Sequence, residues 1–155
     1  MLIYYTPVAA GAQKCQVYAG AVDSVNGFRR AASAERRFEL SRAASAASQA
    51  RQFVDRLLRQ QDVADVPRET AQLVTSELVT NALRHGAGKI ELRLRLLDAF
   101  LRIEVVDQGL GQAPAVRTEA PDESGGWGLR IVDQLSAQWG VFEGTTHVWA
   151  DVAVS

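Results

Sequence analysis

Two adjacent segments that alternate apolar and charged residues constrain the fold of this 155-residue chain most strongly. The first has leucine or isoleucine at positions 90, 92, 94 and 96 and charged residues at 91, 93 and 95. The second, Leu101–Val105, repeats the pattern after a turn at Asp98-Ala99. Because residues two apart share one face of a strand, each segment has one apolar and one wet face. The pair therefore predicts a hairpin in an antiparallel sheet with one solvated face.

Helical spacing of apolar residues predicts three helices around this hairpin. The first has Ser41 as its N-cap and continues to Gln60. The second carries Pro67 in its first turn and continues to about Leu83. The third begins near Gly128, and its buried residues are expected to be Leu129, Ile131, Val132 and Leu135.

Three further strands complete the expected layout: an edge strand over Arg36–Leu40 and two closing strands near residues 138–143 and 147–152. This order predicts an α+β two-layer sandwich, in which helices cover one face of a mixed, mostly antiparallel sheet. We expect one domain over residues 35–155, because a chain of this length can bury a real core. Residues 1–34 lack a sustained pattern and are expected to form a loosely ordered extension.

Charge and composition exclude several classes of function. The net charge of −1, from 17 basic and 18 acidic residues, gives no electrostatic reason to expect nucleic acid or anionic membranes as partners. Cys15 is the single cysteine, and the two histidines are His85 and His147, so an internal disulfide and a cysteine-histidine zinc site are excluded. No apolar run reaches the roughly 18 residues of a membrane helix, and the start does not resemble a signal peptide. We therefore expect a cytoplasmic protein.

Asp107 is the sharpest single candidate for a functional residue. Counting by two from Leu101 places it on the apolar face of its strand, where an unbonded carboxylate is costly. Glycines follow at positions 109 and 111, so backbone could approach a ligand there, and the amino group of adenine would satisfy the carboxylate. The alternative is that Asp107 simply ends the strand and caps the next turn. The strand alone favours neither interpretation.

Two more segments carry polar or glycine-rich patterns that become informative together. Glu77 and Asn81 lie four apart on one helix face, an arrangement able to hold hydrated magnesium and orient a nucleophile, although most such pairs are merely solvated. Gly126 and Gly128 precede a helix whose exposed amides suit phosphate, although a flexible loop gives the same pattern. Thr146 belongs to a turn whose hydroxyl could reach a base, or to an ordinary hairpin turn.

In this order, the three segments resemble the GHKL ATPase superfamily, and most closely its small bacterial branch of anti-sigma regulatory factors, as in actinobacteria. Glu77-Leu78-Val79-Thr80-Asn81-Ala82 with His85 is similar to the N-box of that branch. Asp107-Gln108-Gly109-Leu110-Gly111 is similar to the Asp-x-Gly-x-Gly box, and Gly126–Val132 to the second glycine box. The resemblance extends from about Phe38 to Val152.

The resemblance implies a role for each matched residue. Asn81 would coordinate the Mg²⁺ that bridges the phosphates of ATP, and Glu77 would act as general base or orient the attacking hydroxyl. Asp107 would bind the adenine amino group. The other residues that the resemblance assigns to the nucleotide site are Arg84, His85, Gly109, Gly111, Gly126, Gly128, Leu129 and Thr146.

The resemblance also implies a function. The chain would be a serine/threonine protein kinase that phosphorylates a small anti-anti-sigma (STAS-type) partner. It would also sequester a sigma factor, which would dock on a homodimer of this domain. The segment from Gln112 to Ser124 is shorter than the lid of the best-known relatives. The alternative is therefore a non-catalytic module that binds nucleotide and acts only by sequestering a partner. A detached histidine-kinase catalytic domain is a weaker third hypothesis, since no phosphoacceptor helix precedes Glu77.

Overall fold

The computed structural model describes residues 35–109, 127–142 and 146–155, together with the backbone of residues 15–18. These residues form six strands and three helices. In chain order they are β1 (Cys15–Tyr18), β2 (Arg36–Leu40), α1 (Ala46–Arg59), α2 (Asp65–His85), β3 (Ile90–Leu96), β4 (Phe100–Val106), α3 (Gly128–Leu135), β5 (Gln138–Phe142) and β6 (Val148–Ala153).

The strands form one sheet in the order β1-β5-β6-β4-β3-β2. All neighbours are antiparallel except β1, which pairs parallel to β5. The predicted hairpin is confirmed, with Leu94 opposite Ile103, and Leu97 and Phe100 exchange backbone hydrogen bonds of 2.7 and 3.3 Å across the two-residue turn. The edge strand β2 is also confirmed. The architecture is the expected α+β sandwich with a mixed, mostly antiparallel sheet.

The helices pack on the face of the sheet that carries the alternating apolar residues. On this face Leu92 lies beside Val105, and Val105 lies beside Val148. Burying these rows against α1 and α2 removes apolar surface from water, which is the main stabilising contribution to such a core. The largest buried core side chains include Leu40, Val54, Leu58, Val74, Leu78, Ile90, Leu92, Leu94, Leu101, Ile103 and Trp139.

The opposite face of the sheet carries buried charges. Asp151 is 3% exposed and accepts two hydrogen bonds of 2.7 Å from Arg102, one to each oxygen, and a third of 2.7 Å from Gln138. The Arg102 guanidinium also lies 4.4 Å from the ring centroid of buried Trp149. Buried charges persist only when they are paired and hydrogen-bonded, which this group achieves.

Three expectations differ from the structure. Ser41 is not an N-cap: its carbonyl accepts the Ala43 amide at 2.8 Å in a tight turn, and α1 starts only at Ala46. Leu135, expected in the core, is 37% exposed because α3 ends there, leaving Val132 as its buried residue. The segment 15–18, where no strand was expected, lies on the edge of the sheet as β1.

Candidate functional site

One end of the sheet brings Asp107 and Thr146 together with the turn that follows α2. At this end β4 finishes at Val106, which lies opposite Glu91 near the start of β3, while Val105 lies opposite Val148 at the start of β6. Asp107, the turn after α2 and Thr146 are therefore neighbours, although up to 60 residues separate them along the chain. The antiparallel pairing thus places the site in the loops at the ends of the strands rather than within the strands.

The Asp107 carboxylate is held by one of its two oxygens. Oδ1 accepts hydrogen bonds from the Gly109 amide at 2.6 Å, the Thr146 hydroxyl at 2.8 Å and the Ala87 amide at 3.3 Å. Within the described parts of the chain, no donor reaches Oδ2. The bond to Gly109 is the turn cap considered from sequence. The bonds from Thr146 and Ala87 come from distant segments. A turn cap does not need them, and they fix the direction of the carboxylate.

Two glycines are needed because of their contact with this carboxylate. A Cβ added to Gly86 would overlap Cγ and Oδ2 of Asp107 and lie 2.6 Å from the Ala82 carbonyl oxygen. At Gly109, an added Cβ would lie 2.8 Å from Oδ1 of Asp107 and 3.0 Å from Cγ2 of Thr146. Gly86 has φ −86°, which any residue adopts, so close packing rather than conformation requires glycine there. Gly86 is not among the site residues expected from sequence.

The turn after α2 is locked onto the residue that follows Asp107. The Gln108 amide donates to the Ala87 carbonyl at 2.8 Å, and the Lys89 amide donates to Oε1 of Gln108 at 3.0 Å. Gly88 has φ +61°, a conformation that side chains disfavour, and an added Cβ would overlap the Gln108 side chain. These bonds hold the loop and the strand end as one unit.

The phosphate-side residues of the prediction lie on α2 and at the start of α3. Glu77 and Asn81 are half-buried on α2. The Glu77 carboxylate lies against α3, since a Cβ added to Gly128 would be 2.8 Å from its Oε2. The N-cap of α3, Trp127, makes no side-chain capping bond, so no such bond satisfies the first amides of the helix.

The remaining predicted residues are distributed as follows. Leu129 is half-buried in the first turn of α3, while Arg84 and His85 are exposed in the last turn of α2. Gly111, Gly126 and the segment from Gln112 to Ser124 lie outside the described residues. The described geometry therefore brings together Asp107, Gly109 and Thr146 in one group and Glu77 with Gly128 in another.

The residues present suit a magnesium ion that is shared with phosphates rather than enclosed by protein. The described ranges contain no cluster of three or more acidic, histidine or cysteine side chains able to hold a metal. Mg²⁺ commonly takes one or two protein oxygens and completes its shell with water and substrate phosphates. The Asn81 amide has no hydrogen-bond partner in the described part of the structure, and Glu77 lies one helical turn away, which fits that mode.

None of the helices that the structure describes is both long enough and apolar enough to cross a bilayer. α2 is the longest helix described, and its sequence carries charged residues along its length.

Comparison with known proteins identifies a matching family and several solved structures of similar fold. The model of the family described as "Histidine kinase-like ATPase domain" matches residues 40–150. A crystal structure of the RsbU and RsbW domains of Rv1364c from Mycobacterium tuberculosis superposes with a TM-score of 0.58 at 20% sequence identity. The match covers 78% of this chain but only 31% of that chain, and it therefore supports a shared fold alone. No curated protein sequence matches significantly.

Proposed function

Because the chain belongs to the family of histidine kinase-like ATPase domains, we propose that it binds Mg²⁺-ATP at the end of the sheet described above. We further propose that it acts as an anti-sigma regulatory factor, a serine/threonine kinase that phosphorylates an anti-anti-sigma partner of the STAS type. A sigma factor is the competing partner, which docks on a homodimer of this domain in the cytoplasm.

The observation that carries this proposal is the arrangement around Asp107. Three donors occupy Oδ1 and leave Oδ2 available to a ligand. A half-buried carboxylate in this state favours a ligand that brings its own N–H donor, because an unpaired acceptor away from water is costly. The exocyclic amino group of adenine is such a donor. The contacts of Gly86 and Gly109 with the carboxylate support a pocket shaped around it.

The phosphate end of the proposed site combines the start of α3 with the polar face of α2. Free amides in the first turn of a helix attract anions through their hydrogens and the helix dipole. Gly128 and Leu129 would supply amides there, and Asn81 would hold Mg²⁺ through its amide oxygen. When bound, the ion neutralises charge on the phosphates. Arg84 and His85, in the last turn of α2, would lie beside the phosphates, where Arg84 would add positive charge and both would add hydrogen-bond donors.

Glu77 is the proposed catalytic residue. Its carboxylate lies at the start of α3, where the phosphate chain of the nucleotide would end, and would orient a serine or threonine hydroxyl of the partner and accept its proton. Phosphoryl transfer depends mostly on positioning the reactants and on stabilising charge. A single well-placed carboxylate is therefore enough to orient the hydroxyl and accept its proton.

A sequestering module without kinase activity is the second candidate. The observation that favours it is the short segment from Gln112 to Ser124, which offers less chain to enclose ATP than the lids of the best-known relatives. Asn81 is needed for Mg²⁺-ATP binding in both cases, whereas Glu77 is needed only by a working kinase.

A transfer assay distinguishes the two candidates. The protein is incubated with Mg²⁺ and ATP labelled at the γ-phosphate, together with STAS-type proteins from the same genome. The kinase proposal predicts a labelled partner, loss of label with Glu77→Gln, and unchanged ATP affinity in that variant by calorimetry. Binding of ATP without transfer to any partner would favour the sequestering module.

A further inference from the structure

Arg42 links the turn before α1 to the far end of α2. A single nitrogen of its guanidinium, Nη2, donates to the carbonyl oxygens of Leu83 at 2.7 Å, Gly86 at 3.0 Å and Ala82 at 3.2 Å. The last carbonyls of a helix lack partners within the helix, and a cation is favoured there by the helix dipole. Nothing in the local sequence around Arg42 predicts this contact, since its acceptors lie 40, 41 and 44 positions later in the chain.

The bond to Gly86 has a consequence for the nucleotide site. The Gly86 carbonyl and the Ala87 amide belong to the same peptide group, which is planar and trans, so the two point in opposite directions. Arg42 fixes the direction of the carbonyl, and the Ala87 N–H consequently points away from Arg42 toward Oδ1 of Asp107, to which it donates at 3.3 Å.

We propose that Arg42 is a positioning residue for adenine recognition, which acts through the Gly86–Ala87 peptide on Asp107. The proposal rests on the proposed function, in which Asp107 accepts the adenine amino group. Arg42 does not touch the base. It holds the peptide that keeps Oδ1 engaged, and thereby leaves Oδ2 directed at the ligand. A lysine would keep the positive charge, but its shorter side chain would not place a donor at the position of Nη2.

A purely structural role for Arg42 makes a different prediction. If Arg42 only caps α2, its removal lowers stability and weakens every nucleotide equally. If it positions Asp107, its removal acts mainly on ligands that carry the amino group. Purine riboside triphosphate lacks this group but keeps the phosphates and the ring, so the ratio of its Kd to that of ATP measures recognition of the amino group.

The matched control is Arg51. This residue lies within α1 and, like Arg42, donates to α2, at 2.9 Å to the Ser76 hydroxyl, but it does not contact the Gly86–Ala87 peptide. Arg42→Ala, Arg42→Lys and Arg51→Ala are compared by thermal melting and by calorimetric titration with both nucleotides. Amide NMR spectra of the nucleotide-free proteins report directly on Ala87 and Gly109, the two backbone donors to Asp107.

We expect Arg42→Ala to lower the preference for ATP over purine riboside triphosphate by about tenfold, the size of effect that follows from losing a hydrogen bond to a charged group. Its Ala87 and Gly109 amide signals should shift, while Arg51→Ala changes neither the preference nor those signals. Arg42→Lys should lie between, and it gives the answer if Arg42→Ala does not fold. An unchanged preference overturns the proposal, whether or not the Ala87 signal shifts. If the wild type binds both nucleotides equally or neither, the proposed function fails, and the nucleotide-free spectra still decide whether Arg42 controls the peptide.

Discussion

The Thr146 hydroxyl lies 2.8 Å from Oδ1 of Asp107, the same oxygen that accepts the Gly109 amide. These two residues are 39 positions apart in sequence and meet because β4 and β6 are neighbours in the sheet. The contact fixes the carboxylate from a side that its own strand does not provide. It is the structural relationship on which the proposed recognition of adenine depends.

Thr146→Val should weaken ATP binding while preserving the shape of the side chain. Valine lacks the hydroxyl donor, so Asp107 keeps only its two backbone donors and loses orientation. We expect a roughly three- to tenfold higher Kd for ATP, which matches the typical net contribution of a single hydrogen bond. Calorimetric titration measures it, with Thr146→Ser as the control that retains the donor. Equal affinities for the valine and serine variants would contradict the assigned role.

Gly86→Ala should displace Asp107 because the new methyl group would overlap its carboxylate. We expect lower stability and weaker ATP binding, with a stability loss of about 1–3 kcal/mol, typical of overpacking. A double-mutant cycle with Asp107→Ala identifies the cause, since removal of the carboxylate relieves the overlap. Chemical denaturation should then show a smaller cost for Gly86→Ala in the Asp107→Ala background. A full, additive cost in both backgrounds would place the strain elsewhere.

Arg102→Ala should destabilise the fold without affecting the nucleotide site. The substitution leaves the Asp151 carboxylate, which is 3% exposed, with Gln138 as its one remaining donor in the described structure. We expect a loss of about 2–3 kcal/mol, near the lower bound for breaking a buried pair because Arg102 itself is partly exposed. Arg37→Ala, which breaks an exposed pair with Glu35, is the control and should leave the melting temperature nearly unchanged. Similar melting temperatures for both variants would rule out a structural role for the buried group.

The acid stability of the protein should depend on Glu104. Burial raises the pKa of this carboxyl, but the hydrogen bond from His147 at 2.9 Å and the charges of His147, Arg102 and Arg95 outweigh it, and the pKa is lowered. A lowered carboxyl pKa contributes stability above the ordinary value of 4.5, and this contribution is lost as pH falls through the lowered value. Between pH 7 and pH 3, the melting temperature should therefore decrease less for Glu104→Gln than for the wild type. An equal decrease in melting temperature for the two proteins would show that Glu104 does not contribute to the acid dependence of stability.

The spacing of apolar residues in the sequence predicted those helices and strands that bury one face against the core. Alternation over residues 90–105 gave the central hairpin, because a strand with one buried face leaves a period of two in the sequence. The start of α1 was missed, since Ser41 satisfies the local rule for an N-cap but its carbonyl closes a turn instead. β1 was missed because four residues on a sheet edge carry no period, and its partner strand lies 124 positions later.

The candidate site was predicted as residues but not as geometry. Asp107, Gly109 and Thr146 were named from sequence, yet their shared oxygen follows from the register of β4 against β6, which no local pattern encodes. The roles of Gly86 and Arg42 depend on packing between distant segments and left no signal beyond a glycine after a helix.

The central claim is that Asp107 binds the base of Mg²⁺-ATP, and calorimetric titration of the wild type and Asp107→Asn with ATP tests it most directly. The asparagine variant keeps the side-chain size but replaces an acceptor oxygen and removes the charge. The account predicts saturable binding to the wild type and a loss of at least tenfold in affinity for Asp107→Asn, whereas Asp98→Asn in the exposed hairpin turn binds as the wild type does. Equal ATP affinity for Asp107→Asn and the wild type, or no binding to the wild type at millimolar ATP, would contradict it.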